Sequence, residues 1–158
     1  MTDIDQAKKK NMLRMMTMMI SGMAKTLYDL FGETAYATMG EVGKDILAIM
    51  EKEMGLEIAG EDPKVLLMEI GRIFTDEIGF IASYKVEEDG NALKLIVDRC
   101  QGWPLTQKIM EAGVDTPFTC PIMNVGQAAL ARIGKPASRT IDPVPETRGS
   151  VITFRFVE

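Results

Sequence analysis

The chain has 158 residues and a net charge of −5, with 46% apolar and 26% charged residues. This balance is typical of globular proteins and excludes a disordered tail, a collagen-like rod and a polytopic membrane protein. No segment is strongly basic, so a nucleic-acid partner is not expected. The length predicts one domain over residues 1–158, with a helical half at 1–78 and a sheet-containing half at 79–158.

Histidine is absent, and there are two cysteines. The absence of histidine excludes Ser-His-Asp and Cys-His catalytic groups and every His-ligated metal site. Two cysteines do not make a disulfide scaffold and suit a reducing compartment. We therefore expect a cytoplasmic protein.

The first predicted helix contains an apolar stretch from Met12 to Ala24 that follows three lysines. The stretch is interrupted by Arg14 and is shorter than the roughly 18 apolar residues of a spanning helix, so no membrane span is expected. Its apolar side chains recur every three or four residues, which predicts one face of an amphipathic helix. These side chains are Met12, Met16, Met19, Met23, Leu27 and Leu30.

Two further helices follow in the first half. Gly32 ends the first helix, and Thr34 is predicted to cap a second helix that reaches Met54. Asp62 and Pro63 form a typical helix start, which predicts a third helix from Pro63 to about Glu77.

The second half begins with alternating apolar residues at 80–86 and 93–97, joined by an Asp-Gly turn at 89–90. This pattern predicts a β-hairpin. Short helices are predicted from Trp103 to about Gly113 and from Cys120-Pro121 to Gly134, and strands at 138–142 and 152–156. The predicted fold is α+β, with N-terminal helices on an antiparallel sheet in the order ααα-ββ-αα-ββ.

Several residues are candidates for an apolar ligand pocket. A methionine-lined helix suits variable apolar ligands, although an apolar helical stripe is more commonly core or dimer packing. The glycines of the second helix indicate either close backbone approach or room for a ligand. The candidate ligand-binding residues are Met16, Met19, Met23, Tyr36, Gly40, Gly43 and Trp103. Four arginines lie near the C-terminus, at 132, 139, 148 and 155. They either bind a carboxylate or serve surface solubility.

Cys100 and Cys120 are the candidate nucleophiles and metal ligands. Cys120 precedes Pro121 at a predicted helix start, where the helix dipole lowers a thiol pKa, so we expect Cys120 to be the more reactive. The alternative is that each cysteine is a small buried hydrophobe. Neither belongs to a Cys-x-x-Cys zinc knuckle.

Three short motifs lie in the second half. An apolar strand ends in Cys100, a second cysteine opens a helix at 117–121, and a strand with alternating aromatics follows Gly149. With Phe31-Gly32-Glu33 and Gly40 to Gly43 upstream, residues 12–157 resemble the 4-vinyl-reductase-like (hydrocarbon-binding) domains. They are also similar to the related L-2-amino-thiazoline-4-carboxylic acid hydrolase-like and methanogen output domains.

The resemblance implies an α+β fold enclosing an apolar ligand pocket. Many of these domains hold zinc through a cysteine at the helix opening and others near the C-terminus. Cys120 matches the first position, and residues 151–156 contain no cysteine. The cofactor is therefore left open, with zinc at Cys100 and Cys120 as the candidate.

Three functions are consistent with the sequence. The leading hypothesis is a small-molecule-binding module, a sensor or carrier for an apolar or partly apolar ligand. The second is a thiazoline-carboxylate-type hydrolase using a cysteine or a cysteine-bound metal, with Glu33 as base. The third is a structural homodimer formed through the N-terminal helix.

Overall fold

The computed structural model describes residues 2–157 and has the α+β architecture predicted from the sequence. The helices and strands follow one another in the expected order. They are α1 (Asp3–Phe31), α2 (Thr34–Lys52), α3 (Pro63–Arg72), β1 (Ser83–Asp89), β2 (Ala92–Asp98), α4 (Trp103–Glu111), α5 (Pro121–Arg132), β3 (Ala137–Val144) and β4 (Gly149–Phe156).

Helix α1 begins nine residues before the apolar stretch that predicted it. Thr2 caps the helix: its hydroxyl accepts a hydrogen bond from the Asp5 backbone amide, and the Asp5 carboxylate accepts one from the Thr2 amide in return. This capping box extends the helix through the polar residues that periodicity alone leaves out. The helix ends as predicted at Gly32, which has φ +55°.

Two other helices differ from the predictions at their ends. Helix α2 has Glu33 at its N-cap instead of Thr34, and it ends at Lys52, two residues earlier than expected. Helix α3 is capped by the Asp62 side chain, which accepts a hydrogen bond from the Val65 amide. The predicted continuous helix to Glu77 changes at Ile73 into a single π-helical turn.

The four strands form one antiparallel sheet in the order β1-β2-β4-β3. The predicted Asp-Gly hairpin joins β1 to β2, with Asp89 opposite Ala92 and Gly90 at φ +60°. Strand β3 is longer than predicted because it pairs with β4 from Ala137 opposite Phe156 to Val144 opposite Gly149.

The core has two parts. The larger part lies between the sheet and helices α3 and α5, with buried side chains including Leu66, Ile70, Leu95, Leu130 and Phe154. The smaller part joins α1, α2 and α4 around Ala24, Ala35, Met39, Ile109 and Phe118. Within residues 2–157, no helix is long and apolar enough to cross a membrane.

Candidate functional site

A cleft of about 270 Å³ opens between α2, α5, β3 and the segment that precedes α5. Helix α5 borders the cleft because it packs along α2 on one side and against the sheet on the other. The lining residues are Tyr36, Ala37, Thr116, Phe118, Met123, Gln127, Ser138 and Arg139. The volume is close to the lower end of small-molecule sites, which begin at roughly 300 Å³.

Arg139 on β3 supplies the positive charge of the cleft. One guanidinium nitrogen, Nη2, donates a hydrogen bond to the Tyr36 carbonyl at 2.8 Å, and burial lowers the Arg139 pKa. Among the salt bridges of the described residues, none involves Arg139. The cleft therefore contains a partly desolvated guanidinium without a carboxylate partner, and such a group favours an anion.

Gln127 on α5 supplies an acceptor to the same cleft. Its Nε2 donates to the Ala137 carbonyl at 3.4 Å, which leaves its Oε1 as the free end of the amide. That Oε1 is buried and has no hydrogen-bond partner in the described part of the chain. A buried acceptor without a donor costs free energy, so a ligand donor at this position would be stabilising.

Aromatic rings form the apolar side of the cleft. Tyr36 lies between two other rings, with centroid distances of 5.2 Å to Phe118 and 5.9 Å to Tyr28. The pKa of Tyr28 is raised mainly by the charge and hydrogen bond of the neighbouring Tyr36. Burial and the negative charges of Asp115 and Glu33 raise it further. Tyr28 is therefore neutral at physiological pH, and both rings present apolar surface with a polar tip.

The structure places three of the predicted ligand residues at or beside this cleft. Tyr36 lines it, and a Cβ at Gly40 would lie 3.9 Å from Gln127 Oε1. Gly43 lies one turn further along α2, where a Cβ would be 2.2 Å from the Asn124 carbonyl oxygen. Of the two predicted roles for Gly43, close backbone approach is the correct one.

The other predicted ligand residues lie elsewhere. Met16, Met19 and Met23 are each more than half exposed on α1, so the expectation that they wall an enclosed cavity is wrong. Trp103 is buried at the start of α4. The structure does not bring these four residues together around a pocket.

Sequence reasoning did not single out Gln127 or Phe118, and it considered Arg139 only as one of four arginines. No local motif marks these residues, because they lie far apart in the chain and meet only through the packing of α5 on α2 and β3. The one available signal was that Arg139 shares a face of its strand with the apolar residues Ala137 and Ile141.

The thiols differ from the sequence expectation. Cys120 is the N-cap of α5, as predicted, but burial raises its pKa to about 12, and this outweighs the amides of Ile122 and Met123. The direction of this shift is opposite to the activation expected from the helix-cap position. Burial also raises the pKa of Cys100, whose sulfur accepts a hydrogen bond from the Gly102 amide at 3.3 Å.

Metal binding by the cysteines would need further ligands. In residues 2–157, no group of three or more Cys, Asp or Glu side chains is arranged to hold a metal ion. Two cysteines are also fewer than the four ligands of a tetrahedral structural zinc site. The residues present do not fit such a centre.

A second, larger cleft of about 390 Å³ lies at the end of the sheet. It is lined by Ser83, Asp98, Arg99, Glu146, Thr147 and Arg148. All of its lining residues are polar or charged, with charges of both signs, so it has no aromatic ring against which an apolar ligand could pack. We therefore take the α2–α5–β3 cleft as the candidate site.

A solved structure of low sequence identity shares the fold. The trafficking protein particle complex subunit 3 from Naegleria fowleri, covalently bound to palmitic acid, superimposes with a TM-score of 0.57 at 12% identity. The match covers 94% of this chain and 97% of that one. An Fe(II) unliganded H-NOX protein from K. algicida gives a TM-score of 0.48 at 14% identity, over 84% and 70% of the two chains.

No curated protein is detectably similar in sequence. One protein family matches residues 16–158, which is most of the chain, and its description is "Putative rubredoxin C-terminal domain". None of these similarities is to a 4-vinyl-reductase-like domain. The chain therefore belongs to the rubredoxin C-terminal domain family.

Proposed function

We propose that this domain binds a small, partly apolar molecule with an anionic end in the α2–α5–β3 cleft. The anionic end contacts Arg139, and the apolar body lies against Phe118 and Met123. A donor group of the ligand pairs with Oε1 of Gln127 once the amide turns toward the cleft, since this oxygen is buried in the empty protein. As a sensor or carrier, the domain needs no catalytic step.

The observation that carries this proposal is that one cleft contains a guanidinium without a carboxylate partner and a buried acceptor without a donor. Arg139 is partly desolvated without a carboxylate partner, and Gln127 Oε1 is a buried acceptor without a donor. Both groups cost stability in the empty protein, and both gain a partner when a carboxylate with a hydrogen-bond donor is bound.

Two resemblances support the ligand class without identifying it. The resemblance to hydrocarbon-binding domains implies an apolar pocket, and the Naegleria subunit of the same fold carries palmitic acid. Both suggest a ligand with a substantial hydrocarbon part. The hydrolase alternative receives less support, because a Cys120 thiol with a pKa of about 12 is protonated at neutral pH.

The test uses 4-hydroxycinnamate, which has a carboxylate, an apolar ring and a hydroxyl donor, and compares it with its methyl ester. Isothermal titration should show binding of the acid and weaker binding of the ester. Arg139→Gln should weaken binding of the acid by roughly 10- to 100-fold, as expected for a lost charge-assisted hydrogen bond. Arg148→Gln, an exposed arginine outside the cleft, is the matched control and should change nothing.

Palmitate is the second probe and tests a longer hydrocarbon chain. Native mass spectrometry of the purified protein would show whether a small molecule is retained from the cell. If Arg139→Gln and the wild type bind each probe equally, or if no probe binds and no molecule is retained, the proposal fails.

We also propose that the protein is a homodimer that uses α1 as its contact helix. The support is the apolar side of α1, which the rest of the chain leaves uncovered. This second proposal is independent of the cleft, because α1 contributes no residue to the cleft lining.

A further inference from the structure

The N-terminal two thirds of α1 lies largely outside the packed domain. Between residues 12 and 23 it exposes eight large apolar side chains, seven of them by more than half of their area. They are Met12, Leu13, Met15, Met16, Met18, Met19, Ile20 and Met23. A methionine-rich surface of this kind adapts readily to a partner.

The exposed side chains include a regular seam. Met12, Met16, Met19 and Met23 are spaced four, three and four residues apart, which is the heptad spacing of helices that pack side by side. The side of α1 that packs on its own domain centres on Ala24 and Tyr28, and the partly buried Leu27 lies between that side and the seam. The two sides lie roughly a third of a turn apart, so the seam stays free when α1 is docked.

The area of this surface fits a second copy of the chain. A monomer rarely exposes a continuous apolar patch larger than roughly 300 to 600 Å². The four seam methionines with Leu13 and Ile20 lie on one side of α1 and expose roughly 600 Å², which is at the lower end of what each partner contributes to a specific interface. A helix that presents one seam can pair with itself around a two-fold axis.

We propose that α1 pairs in antiparallel orientation with α1 of a second copy, an inference that rests on the proposed homodimer. Met12 then packs beside the partner's Met23, and Met16 packs beside the partner's Met19. In the same register, Lys8 lies beside the partner's Asp29. Leu13 and Ile20 extend the apolar contact on one flank of the seam.

Charge along α1 selects the antiparallel orientation. In the N-terminal half four basic residues, at 8, 9, 10 and 14, outnumber Asp3 and Asp5, whereas at the opposite end Asp29 and then Glu33 outnumber Lys25. An antiparallel pair places the basic end of each helix beside the acidic end of the other. A parallel pair would place the lysine clusters side by side, which is destabilising. Asp29 already pairs with Lys25 in its own chain, and it can accept a second donor.

An anionic membrane is the other surface that a basic apolar helix can bind. The charges favour the second copy, because only one end of α1 is basic and the whole chain carries a net charge of −5. Binding to vesicles of phosphatidylcholine and phosphatidylserine is therefore an outcome of the test, not the expectation.

Light scattering tests the homodimer. The wild type should have twice the chain mass of 17.5 kDa at micromolar concentration. Met16→Lys with Met19→Lys should give the monomer mass with unchanged circular dichroism, because both side chains are exposed. Met68→Lys replaces an exposed methionine of α3 and should stay dimeric. A monomeric wild type, or a dimer that survives the double substitution, would overturn the use of α1.

Cysteine cross-linking tests the orientation separately. Met12→Cys and Met23→Cys proteins are oxidised alone and as a mixture, with the wild type as control for the native thiols. In the antiparallel pair, two copies of residue 12 are roughly 16 Å apart, so a covalent dimer should form only in the mixture. If the Met12→Cys protein cross-links on its own, the protein is still a homodimer, but its α1 helices are not antiparallel. If the wild type is a monomer and binds the vesicles, and the double substitution of Met16 and Met19 abolishes that binding, the partner of α1 is lipid and not a second copy.

Discussion

Gly43 of α2 lies directly against the backbone of Asn124 in α5, so closely that a Cβ on Gly43 would be 2.2 Å from the Asn124 carbonyl oxygen. This contact brings α2 and α5 together along one wall of the candidate cleft. The close approach needs a residue without a side chain. Gly43 therefore serves the cleft by positioning helices, not by leaving space for a ligand.

Gly43→Ala should lower the free energy of unfolding by about 1–3 kcal/mol, because the clash is with the backbone and α2 must move. The matched control is Gly22→Ala in α1, where nothing lies within 4 Å of the added Cβ. That control should raise stability by up to about 1 kcal/mol through helix propensity. Urea unfolding of both variants checks the opposite signs, and equal effects would contradict the contact.

Asn124 links α5 to the segment before it, since its Nδ2 donates to the Phe118 carbonyl at 3.0 Å within the protein interior. Asn124→Ala should cost about 1–3 kcal/mol because the buried carbonyl loses its donor. Gln101→Ala, at an exposed position, is the control. Denaturant unfolding that shows no loss for Asn124→Ala would contradict this role.

Arg132 ties the end of α5 to α2 and to the loop after it. Its guanidinium donates to both Glu51 carboxylate oxygens, at 2.7 and 2.9 Å, and to the Ile58 carbonyl at 2.6 Å. We expect Arg132→Ala to cost about 1 kcal/mol, because the pair is partly exposed to solvent. A double-mutant cycle with Glu51→Ala should give a coupling energy that decreases as salt is added. A coupling near zero at low salt would rule out the bridge.

Cys120 should react more slowly than Cys100, contrary to the expectation from its helix-cap position. Burial raises the Cys120 pKa from 9.0 to about 12, so its thiolate is scarce at neutral pH. Iodoacetamide labelling with mass mapping between about pH 7 and 10 measures the order of the two thiols. Faster labelling of Cys120 would show that the helix dipole outweighs burial.

The same raised pKa also predicts how stability changes with pH. The unfolded chain has the ordinary thiol pKa of 9.0, and in the folded protein the pKa is about 12. The contribution of the Cys120 thiol to folding stability is therefore fully present below pH 9 and is lost as the pH rises toward about 12. The reason is that only the unfolded state loses the proton over this range. The unfolding free energy of the wild type should therefore fall more steeply above about pH 9 than that of Cys120→Ala. Parallel slopes for the two proteins would exclude a raised pKa.

Local chemistry was enough to predict the secondary structure. The period of the methionines in α1, the Asp62-Pro63 start of α3 and the Asp89-Gly90 turn each act through neighbouring residues, so the sequence predicts them without a tertiary context. The α+β class follows from the order of these elements. The ends that were missed, such as the N-terminus of α1, depend on single side-chain caps such as the one at Thr2.

Tertiary packing alone decided the candidate site. Arg139 and Gln127 belong to different elements, and they meet because Gly43 allows α5 to approach α2 while Gly126 fits against the ring of Phe154. Burial likewise raises the pKa of Cys120 where the helix-cap position alone predicted a lower one, since desolvation of a thiolate depends on atoms that lie far away in the chain. Periodicity identified the apolar face of α1, but only the docked position of the helix left that face exposed to solvent.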